Sequence, residues 1–81
     1  MDDLLTTQQL AWVLGQSTAS IRDRIKAGDI EASRIVGGYR IPRTEALRLA
    51  REKVEAETDR KISDAKLERL VDEVIETNES A

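Results

Sequence analysis

Leu10, Val13 and Leu14 recur at i, i+3 and i+4 and lay one apolar face along a first helix. Thr6 precedes that face with Gln9 three residues on, the spacing of a capping box, and Leu5 and Leu10 stand where a hydrophobic staple needs them. Gly15 stops the pattern at the point where a left-handed residue ends a helix, so the spacing predicts a helix over 7–14. Ser17 caps a second helix whose inward stripe is Ile21 and Ile25 and whose stop is Gly28. At 100° per residue, Ala19, Arg22, Asp23 and Lys26 fall on its opposite, mainly basic face. From 32 to 41 the helical period is lost. Ile35, Tyr39 and Ile41 suit two short strands around Gly37-Gly38, where both glycines can take the positive φ of a primed turn. Pro42 then fits the first turn of a third helix, where its missing N–H matters least.

From Arg43 to Ala81 there is neither Gly nor Pro, which favours helix, but the apolar pattern changes face. Leu47, Ala50, Val54, Ile62 and Ala65 form one stripe, and Leu67, Leu70, Val71 and Val74 lie nearly opposite it. Residues 57–61 carry no hydrophobic side chain, and Ser63 can cap a new helix with Ile62 and Leu67 as its staple. The tail is therefore either a separate helix or one long helix with two contact faces. The resulting division is a head over 4–52, a polar connector or helix continuation over 53–63, and an amphipathic helix over 64–78. The Leu67–Val74 stripe has to be buried, either back on its own head or against a second chain.

Composition narrows the chemistry. With no Cys and no His there are no disulfides, no Cys/His zinc site, no thiolate nucleophile and no imidazole base. The tail carboxylates sit on helical positions with no apolar cleft to shift them, and neighbours such as Glu55 and Asp59 show no consistent i,i+4 ion pairing. An enzyme is not expected, and no cofactor or metal is called for. No apolar run approaches the roughly 20 residues of a membrane span, and Met1-Asp2-Asp3 lacks the basic start of a signal peptide, so a cytoplasmic protein is expected. The net charge of −3 conceals a division. Residues 17–51 carry eight basic and four acidic groups, whereas residues 52–81 carry five basic and ten acidic ones. A basic segment joined to an acidic one suits a polyanion-binding face and a separate solvated or partner-binding tail.

Two capped helices around a glycine turn make a helix-turn-helix pattern. Leu4-Leu5-Thr6-Thr7-Gln8-Gln9-Leu10-Ala11, Leu14-Gly15-Gln16-Ser17, Ser20-Ile21-Arg22 and Ala27-Gly28-Asp29-Ile30 follow in order. Gly37-Gly38-Tyr39-Arg40-Ile41-Pro42-Arg43 and Glu45-Ala46-Leu47 complete the frame. Over residues 4–50 this frame resembles the DNA-binding domains of the excisionase family and of MerR-like regulators. The resemblance implies a mainly α winged helix-turn-helix with a small β-hairpin wing. Its second helix would enter the major groove and its wing would lie on the backbone. Gln16, Asp23 and Glu31 depart from the family, which usually has an aliphatic residue at the first of these positions and often a Pro at the last.

The DNA-binding set implied by this resemblance is Ser17, Thr18, Ala19, Arg22, Asp23 and Lys26 on the helix, with Arg34, Gly37, Gly38, Tyr39, Arg40 and Arg43 in and after the wing. Arg22 and Arg40 match the family's helix and wing arginines. Tyr39 either packs on the wing or touches a phosphate. Trp12, about 200° around the helix from Leu10, is either half-buried under the C-terminal helix or an interface anchor. With Leu67, Leu70, Val71 and Val74 it forms the candidate interface of a homodimer, since MerR-like regulators pair through a C-terminal helix. The expected function is sequence-specific binding of double-stranded DNA by a small regulator or a recombination-directionality factor. The alternative is an antitoxin-like or adapter protein whose C-terminal helix binds a partner such as a toxin or an integrase.

Overall fold

In the computed structural model, which describes residues 4–80, Thr6 closes the capping box that its spacing predicts. Its hydroxyl accepts from the Gln9 N–H and its own N–H donates to the Gln9 side chain, both at 3.0 Å. Helix α1 covers Thr7–Leu14 and ends at Gly15, whose φ of 66° is the expected left-handed stop. Ser17 caps α2, Thr18–Lys26, by accepting from the Ser20 N–H at 3.1 Å. The Met1-Asp2-Asp3 start lies outside the described residues.

Three strands form the sheet, where the sequence predicts two. β1 (Leu4–Leu5), β2 (Ser33–Ile35) and β3 (Gly38–Pro42) pair antiparallel in the order β1-β3-β2. Leu4 pairs with Pro42 and Leu5 with Ile41, and a two-residue strand is too short to show a period of its own. The wing turn also moves by one residue. Ile35 pairs with Gly38, which leaves Val36 and Gly37, rather than Gly37 and Gly38, as its central residues. Gly37 has φ 89° and Val36 is not among the positive-φ residues, the arrangement of a type II turn and not of a primed one. Pro42, with φ −57° and ψ 142°, is the cap of α3 (Arg43–Thr58) and stands one residue outside its first turn.

On α3 the buried face is Ala46, Leu49 and Ala50, with Leu47 half-buried beside it, a shift from the predicted Leu47–Ala50–Val54 stripe. Its solvent side carries the i,i+4 ion pairs that the sequence reading does not anticipate: Arg48–Glu52 at 3.1 Å, Arg51–Glu55 at 3.1 Å and Lys53–Glu57 at 2.8 Å. The helix stops at Asp59, held at φ 55° by its N–H donating to the Glu55 carbonyl at 2.9 Å. Ser63 caps the next helix by accepting from the Lys66 N–H at 3.3 Å. That helix, α4, covers Asp64–Ser80, so the separate-helix alternative holds. Residues 53–58 continue α3, and 59–63 form the turn. Arg51 holds this turn in place, its guanidinium donating to the Ile62 carbonyl and to the Asp64 carboxylate, while Glu55 accepts from the Ile62 N–H at 3.2 Å.

Two adjoining apolar clusters result. In the first, Leu10, Ile21, Ile30 and Ile41 are wholly withdrawn from water and join Leu5, Ala11, Leu14, Ala46 and Leu49. The second is Ala50, Leu67 and Val71, and Val13 and Ile75 pack against both. Leu67 and Val71, expected at an interface between chains, are instead core residues of a single chain. The reason is geometric: the tight 59–63 turn lays α4 across α1 and α3, over apolar surface that the head alone leaves bare. Leu67→Ala should cost about 2–4 kcal/mol, as a buried leucine deletion does. Because the contact is internal, urea unfolding should show that loss equally at low and high protein concentration.

Candidate nucleic-acid interface

Ile21, with no exposed surface, pins α2 to α1 and so decides which way the rest of α2 faces. The residues on the other side of the helix, Ala19, Arg22, Asp23 and Lys26, are all exposed, with Ser17 exposed and Thr18 half-buried at its start. Neither Arg22 nor Lys26 has an ion-pair partner among the described residues. Arg24, which the sequence reading does not select, leans back on the scaffold. It lies 4.0 Å from Asp29 and donates to the Gln16 side chain at 3.4 Å. Gln16 thus hydrogen-bonds across the turn at the position where an aliphatic residue would pack beneath it.

The wing register separates its arginines. Arg34 pairs with Tyr39 and Ser33 with Arg40, and side chains alternate along a strand, so Arg34 and Arg40 project from opposite faces of the ribbon. Arg40 is half-buried and donates to the Tyr39 carbonyl at 2.9 Å. Tyr39, also half-buried, shares the strand face of Ile41, which points into the core. Gly37 and Gly38 shape the tip. Val36 stands there fully exposed, at 102% of its reference area, and is the wing residue that sequence reasoning misses. The available signal was an apolar side chain placed directly before two glycines.

The base of the wing is held by a carboxylate. Glu45, in the first turn of α3, accepts from the Glu31 N–H at 2.9 Å and from the Arg48 guanidinium at 2.8 Å. A proline at position 31 would have no N–H to give. The hydrogen bond to Arg48 draws the Glu45 pKa below its ordinary value. Burial opposes that shift, and the Glu31 N–H and the Arg48 charge add to it.

Arg43 is not with the other candidates. Its guanidinium lies 2.9 Å from Asp72 and 3.7 Å from Glu68, so this wing-end arginine ties α4 to the head. Leu67 and Val71 are core, as described. Trp12 and Val74 are half-buried, and Leu70 is 39% exposed. Because α4 touches α1 and α3 but neither α2 nor β2, the exposed face of α2 and the tail are separate surfaces. Among the described residues no cluster of three or more carboxylates could hold a metal ion, and no helix is long and apolar enough to cross a membrane.

A family model described as a helix-turn-helix domain matches residues 4–54, from β1 well into α3. No curated protein and no solved structure matches the chain.

The geometry at Glu45 carries a pH signature. A carboxylate with a depressed folded pKa contributes stability that is complete above its unfolded pKa and is lost as pH falls through the folded value. The stability gap between the wild type and Glu45→Gln should therefore be open at pH 7. It should close as pH falls below the ordinary carboxylate value of about 4, as denaturant titrations at pH 7 and pH 3 would read directly.

Proposed function

The chain belongs to the excisionase-like helix-turn-helix domain family, and on that premise we propose that it recognises specific double-stranded DNA sites, with α2 in the major groove and the β2–β3 wing on the adjoining backbone. The protein is a DNA-binding helix-turn-helix protein by family. The finer reading is a small regulator or a recombination-directionality factor, whose work is recognition and not catalysis.

One observation carries this reading. Arg22 and Lys26 stand exposed and unpaired on the helix that Ile21 anchors, while Arg43, Arg48 and Arg51 are engaged in internal ion pairs. Cations left free on a rigid helix suit phosphate oxygens and the O6 and N7 acceptors of guanine. Asp23 on the same face repels phosphate and can accept from a cytosine N4 amine, so it favours some base pairs over others. Arg34 and Arg40, on opposite faces of the ribbon, let the wing meet phosphates on either side as it lies along the duplex.

Selection from random duplexes followed by titration tests this function. On a selected site Arg22→Ala should weaken binding by about tenfold or more and relax preference at one base pair. Arg40→Ala should weaken binding to all sequences alike and reduce the salt slope by about one. Titrations unchanged in both variants would refute the placement of the duplex.

A further inference from the structure

Leu70 is the large apolar side chain that α4 leaves facing water, at 39% exposure, and its surroundings have an order that matches their own reverse. It lines two adjoining hollows. One is formed with Val54, Ile62 and Lys66 near the α3–α4 turn, the other with Glu73, Val74 and Thr77 toward the end of α4. On a helix, Lys66, Leu70, Glu73 and Thr77 lie one turn apart in succession and share a face. A cation therefore precedes the central leucine and an anion follows it at almost the same spacing. Neither Lys66 nor Glu73 has an ion-pair partner among the described residues, whereas Asp64, Glu68 and Asp72 on the same helix all do.

From this arrangement we infer that the Leu70 face of α4 is the seat of a second copy of the chain, with the two α4 helices antiparallel and related by a two-fold axis beside Leu70. Such a symmetric contact requires a patch complementary to itself. Turned end for end about Leu70, the helix brings Lys66 of one copy opposite Glu73 of the other, twice. Each Leu70 ridge then enters a hollow of its mate, and Val74 comes over the Ile62 end of the facing groove. The contact uses neither Leu67 nor Val71, which the monomer has already buried, and it lies away from α2 and β2. Self-association by this face does not depend on DNA recognition, and its test contains no DNA.

The full chain, studied by sedimentation equilibrium from low micromolar to about half-millimolar concentration, should show a reversible monomer–dimer equilibrium. Lys66→Glu and Glu73→Lys should each weaken the dimer by about tenfold, since each reversal turns two attractive pairs into repulsive ones. The doubly reversed chain should recover wild-type association. The chain contains no cysteine, so Leu70→Cys provides a second measurement: mild oxidation should link two copies near the axis, while Glu76→Cys, beside Leu4, Gln9 and Arg43 and away from the Leu70 face, should stay unlinked. A wild type that remains monomeric throughout, a dimer indifferent to either reversal, a double reversal that stays monomeric, or a Leu70→Cys chain that does not cross-link would each overturn the inference.

Discussion

Three isoleucines and a leucine with no water contact decide where everything else can stand. Leu10 on α1, Ile21 on α2, Ile41 on β3 and Ile30 between α2 and β2 meet in one cluster, one from each part that a winged head requires. At 3.6 residues per turn, burying Ile21 turns Ala19, Arg22 and Lys26 outward. With strand alternation, burying Ile41 puts Tyr39 on its own face and Arg40 on the other. The orientation of α2 relative to the wing is thus a consequence of apolar packing. Among the described residues no hydrogen bond or ion pair joins α2 to β3, and none is needed. A one-residue slip of β2 against β3 would move Arg34 from the face of Tyr39 and Ile41 to that of Arg40.

Charge is distributed according to what packing leaves over. Arginines on or beside α3 are committed: Arg48 to Glu45 and Glu52, Arg51 to Glu55 and the Ile62 turn, and Arg43 to Asp72 and Glu68. These pairs are partly exposed, so each contributes little to stability, but those of Arg43 and Arg51 help settle the direction in which α4 leaves α3. Arg22 and Lys26 on α2 and Arg34 in the wing have no ion-pair partner among the described residues, while Arg24 leans back on Asp29 and Gln16. A +4 segment beside a −5 tail therefore does not mean that one half attracts DNA and the other repels it; two of the segment's seven arginines, Arg43 and Arg51, serve the tail.

The parts legible in the sequence are those set by local chemistry. Thr6 with Gln9, Gly15, Ser17 and Ser63 mark helix ends because caps act within four residues, and all four are observed. The exposed face of α2 followed from Ile21 and Ile25 alone. What could not be read depends on partners distant in the chain. Leu4–Leu5 became a strand only because Ile41–Pro42 lies alongside, and the wing turn shifted from Gly37-Gly38 to Val36-Gly37 because the pairing of Ile35 with Gly38 decides it. Arg43 looked like a wing arginine from its neighbours, yet Asp72, twenty-nine positions later, claims it. The spacing of the Leu67–Val74 stripe shows an apolar face, but that Leu67 and Val71 meet the head while Leu70 stays exposed depends on a turn held by Arg51.

The same contacts show where the physical unit ends. The family match stops at residue 54, inside α3, but the apolar surface does not. Ala50 is buried together with Leu67 and Val71, and Val13 on α1 packs against that cluster as well as the first. Without α4, Ala50, Val13 and Leu47 would face water on the side of the head that Arg43 and Gln9 now fasten to Asp72 and Glu79. A domain this small has little apolar surface to spare. Residues 64–80 are thus the last layer of the core on their inner face, which frees only the outer one, around Leu70, for another molecule. In this chain the tail must complete its own head before it can serve as an interface.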